Sequence, residues 1–140
     1  SKDMAVLGGR PAYDVHALVS VGAVTTDFID QLQRLAPFGQ GNVAPRLALN
    51  AVMVSGLRLV GKNQDTIACD LVDEGRNRVG AVAFGAAAQP HGQALIQASR
   101  TQTPLHIVGE AKINTYRDRR QANIEVRDVA WPEGSLQKPA

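Results

Sequence analysis

The sequence has one cysteine, Cys69, so no internal disulfide framework can hold it together. Cys69 falls in a run with strand character and reads as a small buried hydrophobe, which suits a reducing, cytoplasmic setting. Aromatic residues are scarce, 4% of the chain. Phe28, Phe38 and Phe84 read as core, which leaves a thin surface for stacking. No apolar run is long enough to span a bilayer, and each is broken by Asp, Arg or Gly, so no membrane partner is expected. The first residues lack the basic-then-apolar order of a secretory signal. His16, His91 and His106 are scattered, with no zinc-ligand spacing to Cys69 or to carboxylate pairs. Asp14, Asp27, Asp30, Asp65, Asp70 and Asp73 do not cluster as a two-metal site requires, no serine sits in a nucleophile elbow, and no Cys–His pair is suggested. The net charge of +2 is too mild to indicate a nucleic-acid partner by bulk electrostatics; placement of the charges has to do that.

What is present suits one domain with a real core: 140 residues, 44% hydrophobic and 20% charged. Residues 1–12, with Gly8, Gly9 and Pro11, read as a flexible leader. Residues 13–44 read as a strand–helix–loop element. From Asp14 to Val24 the chain alternates, with Val15, Ala17, Val19 and Val21 on one face, as a half-buried strand does. Thr25 or Thr26 can cap a helix with Asp27 and Asp30 in its first turn, and Ile29, Leu32, Leu35 and Ala36 recur at helical spacing. Arg34 lies in the last turn and Pro37 stops the helix. Such an apolar stripe on a short helix wants a partner. The run Pro37-Phe38-Gly39-Gln40-Gly41-Asn42 reads either as a contact loop or as a tight connector whose Phe38 plugs a core.

From residue 45 to 130 the texture is that of strands. Arg46 to Val60 is a long apolar run, and Gly56 inside it marks a bend or bulge. Residues 61–64 form a turn. In Asp65 to Val72, Ile67, Cys69 and Leu71 alternate against Thr66, Ala68 and Asp70. Asp73 to Asn77 is a hairpin turn, and Arg78 to Phe84 a third strand. The Ala- and Gln-rich stretch from Gly85 to Gln102 reads as a helix started near Pro90. Leu105 to Asn114 is a fourth strand, bulged at Gly109, and Ala122 to Val129 a fifth, with a turn from Thr115 to Arg120 between them. Residues 131–140 read as a fraying tail. Three strands, a helix and two strands is the order of a mainly β protein, the five-stranded Greek-key OB barrel, here preceded by a short strand–helix element.

OB barrels bind ligands on strands 2–3, flanked by loops 1–2 and 4–5. The first loop carries Lys62; the second carries Tyr116, Arg117, Arg119 and Arg120, preceded by Lys112. A single strand of nucleic acid needs cations for its phosphates and flat groups for its bases, and these six residues supply both. A solvated hairpin tip is the plainer explanation of the same charges.

The helix from Phe28 to Ala36, the phrase Pro37 to Asn42, Pro45 and the strand after it resemble the C-terminal part of the RecJ family of bacterial single-strand-specific DNA exonucleases. Val60-Gly61-Lys62, Ala81 to Gly85 and Val126-Arg127-Asp128 match as well. The resemblance implies the end of a DHH-associated domain followed by an OB domain. It implies a single-stranded DNA-binding module of a 5′-to-3′ exonuclease in DNA repair and recombination, whose Mn²⁺ or Mg²⁺ sits in other domains. The family's metal-binding Asp and His motifs are not in this chain. Gly8-Gly9-Arg10 lacks the following histidine and paired alanines, so that motif does not carry over. The piece is therefore expected to be non-catalytic and cofactor-free by itself. The alternative is a protein-interaction module that docks the parent's nuclease domains or a single-strand-binding protein.

Overall fold

The computed structural model describes Val15, residues 17–35 and residues 44–133. The leader, the Pro37–Asn42 phrase and the last seven residues lie outside them.

The organising element is β2 (Arg46–Val60), long enough to serve both sides of a barrel. Its first half pairs antiparallel with β5 (Leu105–Tyr116) and its second half with β3 (Thr66–Val72). A strand does this only by bending twice. One bend is Gly56, at φ 60, where the register to β3 shifts between Ser55 and Arg58. The other is Ala51, at φ 53, where the register to β5 shifts between Leu49 and Val52. The His106 ring stabilises this second bulge, because its Nδ1 accepts the Ala51 N–H at 3.0 Å.

β3 pairs with β4 (Arg78–Ala83), which lies parallel to β6 (Arg119–Ala130), which pairs with β5. The β2–β5 pairing closes the ring, so this is a closed five-stranded OB barrel. Inward positions fill it: Leu47, Leu49, Val54, Ile67, Leu71, Leu105, Ile107 and Ile124 are all buried. Gly109 sits at a register shift in β5, as its sequence context suggested. Cys69 is buried among them, and burial pushes its thiol up to about 12.

Between β4 and β5 runs α2 (Pro90–Thr101), with Pro90 at its start and Ala94, Leu95 and Ala98 buried toward the barrel. It packs on β2 and β6. Gly92 lets the helix approach the preceding turn, since a methyl there would sit 2.5 Å from the Ala86 carbonyl carbon.

The leading strand is shorter than its alternation predicts. β1 (Ala17–Val19) pairs parallel with β2 and ends before Ser20. Val21–Ala23 then form a single 3-10 turn, in which the Val24 N–H donates to Val21 O. That turn buries both Val21 and Val24, which an extended chain would have put on opposite faces. α1 (Thr26–Leu35) follows, capped by Thr25 Oγ1 on the Phe28 N–H. α1 packs on β5 and β6, Ile29 is 1% exposed and Leu32 rests on the same core. Ile29 and Leu32 of the apolar stripe therefore face the barrel.

His106 makes the fold acid-sensitive. It is 6% exposed, and burial lowers its pKa below the ordinary histidine value. A depressed folded pKa means the unfolded chain takes up the proton first. Stability is full above about pH 6.5 and declines as pH falls from there toward the folded value. Urea midpoints at pH 7 and pH 5 should show this loss, and His106→Asn, which keeps an acceptor near Ala51, should remove it.

Candidate nucleic-acid interface

The pleat sorts side chains cleanly on the barrel wall. Ile67, Cys69 and Leu71 of β3 point in, as do Val79, Ala81 and Ala83 of β4. Thr66, Ala68 and Asp70 face out beside Gly80 and Val82, and the register continues this face through Asn123 and Glu125 to Lys112. Its floor is low, made of Ala68, Gly80 and Val82. Arg58, paired with Ala68, lies at its β2 edge. Asp70 and Arg78 form an ion pair on it at 2.6 Å.

One end of this face is the β2–β3 turn. Gly61 (φ 89) and Gln64 (φ 52) shape it, the Gln64 N–H closes it on Gly61 O, and Lys62 is exposed there. The Ala87 N–H donates to Asp65 O at 3.0 Å and ties the segment after β4 to the same turn.

The other end is the β5–β6 hairpin. The sequence suggested a turn from Thr115 to Arg120, but the turn is only Arg117 and Asp118, both at positive φ (51 and 61). Two left-handed residues make the tight hairpin turn whose twist matches the strands, so pairing runs right up to Tyr116 and Arg119. Arg119 and Arg120 are thus strand residues on opposite faces. Tyr116 and Arg119 lie on the outer face with Lys112 and Asn123. Arg120 lies on the other, with Ala122 and Ile124.

The six expected residues therefore separate. Tyr116 is 62% exposed, and the Arg117 guanidinium lies 5.2 Å from its ring centroid, a cation–π contact. Among the described residues, no carboxylate is within ion-pair reach of Lys62, Arg117 or Arg119. Lys112 is neutralised by Glu125 at 2.5 Å. Arg120 is held by both carboxylate oxygens of Asp30 on α1, at 3.1 and 3.2 Å. Glu125 and Glu110 sit directly opposite one another, an arrangement that repels. Arg127 bridges both, and Arg46 joins Glu110. Burial of Glu110 opposes its charge, but the hydrogen bonds from Arg127 and Arg46 outweigh this and hold its carboxyl below the usual range.

Phe84 corrects the sequence reading most directly. It was expected in the core, yet it is 65% exposed. Its place one residue past β4 continues the outward series Gly80, Val82, and the next N–H, Gly85, donates to Thr66 Oγ1 at 3.2 Å. Phe84 thus stands at the end of the face that carries Lys62. The alternation from Arg78 to Phe84 contained this signal; hydrophobicity alone obscured it. An open hollow of about 500 Å³ adjoins the opposite end, lined by Thr25, Asp70, Arg78, Gly80, Arg120 and Asn123.

The fold and this face define an OB-type barrel. The RecJ OB domain family matches residues 15–128, and the chain belongs to that family. A curated relative, the single-stranded-DNA-specific exonuclease RecJ of Bacillus subtilis, is 25% identical over 126 residues. That alignment covers 90% of this chain but 15% of the relative's length. The crystal structure of RecJ in complex with Mn²⁺ from Thermus thermophilus superposes with a TM-score of 0.51 at 20% identity, covering 86% of this chain and 16% of that one. Among the described residues, no three His, Cys, Asp or Glu side chains are grouped to hold a metal ion. No helix among them is long and apolar enough to cross a membrane.

Proposed function

We propose that this chain is the single-stranded DNA-binding module of a RecJ-like 5′-to-3′ exonuclease acting in DNA repair and recombination. The nuclease chemistry, with its Mn²⁺ or Mg²⁺, belongs in this reading to domains outside the chain. The barrel grips the strand that those domains cut, in the cytoplasm, and a single-strand-binding protein is a further partner. The observation that carries the proposal is the arrangement of the outer β3–β4–β6 face. It is a low floor with Lys62 at one end and Tyr116, Arg117 and Arg119 at the other, and these cations are unpaired among the described residues. Unpaired cations are available to phosphates; Lys112 and Arg120, already held by carboxylates, contribute less.

The test is a salt titration of binding to labelled oligo-dT. Three phosphate contacts on a single strand give a log–log slope of about −2. A slope near zero, or no binding at low salt, would refute the proposal. The Asp30 contact supplies an internal check. Asp30→Asn removes an anion and releases Arg120, and is expected to tighten oligo-dT binding by about threefold at low salt while shifting stability by less than about 1 kcal/mol, as for exposed ion pairs generally. Weaker binding by Asp30→Asn would show that Arg120 is not held back by Asp30.

A further inference from the structure

We propose that Phe84 and Tyr116 are two base-stacking platforms at opposite ends of one strand-binding lane, so that a strand must be several nucleotides long to occupy both. The inference rests on the DNA-binding reading above and deepens it.

Both rings project from the same side of the sheet. Phe84 follows Gly80 and Val82 in the outward series of β4. Gly80 pairs with Asn123, Asn123 with Lys112, and Tyr116 lies four residues beyond Lys112 along β5. Tyr116 and Phe84 are the most exposed large apolar side chains among the described residues, at 62% and 65%. A single exposed hydrophobic residue is ordinary on a protein surface; what singles Phe84 out is its place on the same outward face as Tyr116, at the end that carries Lys62. Each ring has a cation near it. Arg117 stacks on Tyr116. Lys62 stands on the turn tied to the segment after Phe84 by the Ala87–Asp65 hydrogen bond. Between the two ends run the small residues Ala68, Gly80 and Val82, with the Asn123 amide lying over Gly80 and the Asp70–Arg78 and Lys112–Glu125 pairs on either side.

The spacing follows from the register. From Phe84 to Gly80 is four residues, from Gly80 across to Lys112 two strand spacings, and from Lys112 to Tyr116 four residues. With a rise of about 3.3 Å per residue and about 4.8 Å between strands, the rings are roughly 28 Å apart along the sheet surface. A dinucleotide cannot span that distance. A strand of several nucleotides can, within the ~4–16 nucleotides that OB folds occupy.

The experiment is a length series of oligo-dT, from two to ten nucleotides, with an abasic decamer of the same backbone, bound to wild type, Phe84→Ala, Phe84→Trp and Tyr116→Ala. Base–aromatic stacking makes each alanine variant about tenfold weaker on the decamer. Phe84→Trp retains wild-type affinity. Neither alanine variant alters binding to the abasic strand, which has phosphates but no bases. The combined loss appears only above a threshold length, and on the shortest oligomers removing one ring leaves the other to bind. Absence of wild-type binding would overturn the DNA reading and this inference with it. Wild-type binding that Phe84→Ala leaves unchanged on the decamer, or weakens equally on the abasic strand, would overturn the inference alone.

Discussion

Gly92→Ala is expected to destabilise the barrel by about 3 kcal/mol or more, although alanine is the better helix former. Two effects oppose each other at this position. Propensity alone favours the alanine by about 1 kcal/mol inside a helix. Against it, the added methyl would lie 2.5 Å from the Ala86 carbonyl carbon and still closer to its oxygen. Ala86 is buried and its carbonyl accepts the Gln89 N–H at 2.9 Å, in the turn that launches α2. The obstacle is therefore backbone, which cannot swing aside as a side-chain tip would. Either α2 moves off the barrel, exposing Leu95 and Ala98, or the turn opens and loses its hydrogen bond. Overpacking of this kind commonly costs about 1–3 kcal/mol and more where nothing can yield, so it outweighs propensity. Of a total stability of about 5–15 kcal/mol, that is a large share. A thermal or urea melt reads it directly, and an unchanged or raised midpoint would mean that α2 does not pack as described.

Reversing two charges on the β5–β6 hairpin should abolish most DNA binding while leaving the fold intact. Arg117→Asp with Arg119→Glu removes two cations unpaired among the described residues and puts two anions at the mouth of the lane. Asp suits the first position, because Arg117 holds a left-handed backbone (φ 51) that Asp tolerates. Charge-assisted hydrogen bonds contribute about 1.5–3 kcal/mol each, so losing two weakens oligo-dT binding about a hundredfold or more at low salt. The salt slope should flatten from about −2 toward −0.7, as only Lys62 remains. Exposed substitutions of this kind usually shift stability by no more than about 0.5 kcal/mol, so the circular dichroism and melting midpoint should match wild type. Reversal of Arg120 alone should cost far less, because Asp30 already holds it. A loss from Arg120→Glu half as large, in free energy, as that from the double variant would show that the hairpin acts only through its total charge, since the single reversal changes the charge by half as much.

Much of the barrel was legible because its signals are local. Alternation in Thr66–Val72, the Gly56 bend, the Gly109 shift and Pro90 at a helix start each act within a few residues. What escaped depends on distant partners. The Ala51 bulge has no glycine to announce it; a histidine 55 residues away stabilises it. The fate of Arg120 is decided by an aspartate 90 residues earlier. The hairpin turn looks long in sequence because Thr115 to Arg120 is polar apart from Tyr116, whereas the paired strands here are exposed on both faces. Hydrophobicity alone points Phe84 inward, whereas the two-residue period of β4 places it outside. The candidate site was therefore readable as a set of loops, but not as a face with two ends, one of them aromatic.

In the function proposed, the outer β3–β4–β6 face holds a single strand. This is tested most directly by following backbone amide shifts in the ¹⁵N-labelled chain as oligo-dT is added. Perturbations are expected at Ala68, Gly80, Val82 and Asn123, at the Lys62 turn with Phe84, and at Tyr116 to Arg119, with β1 and α1 unmoved. Shifts confined to α1, to β1 or to the far side of the barrel, or no shifts at all, would contradict it.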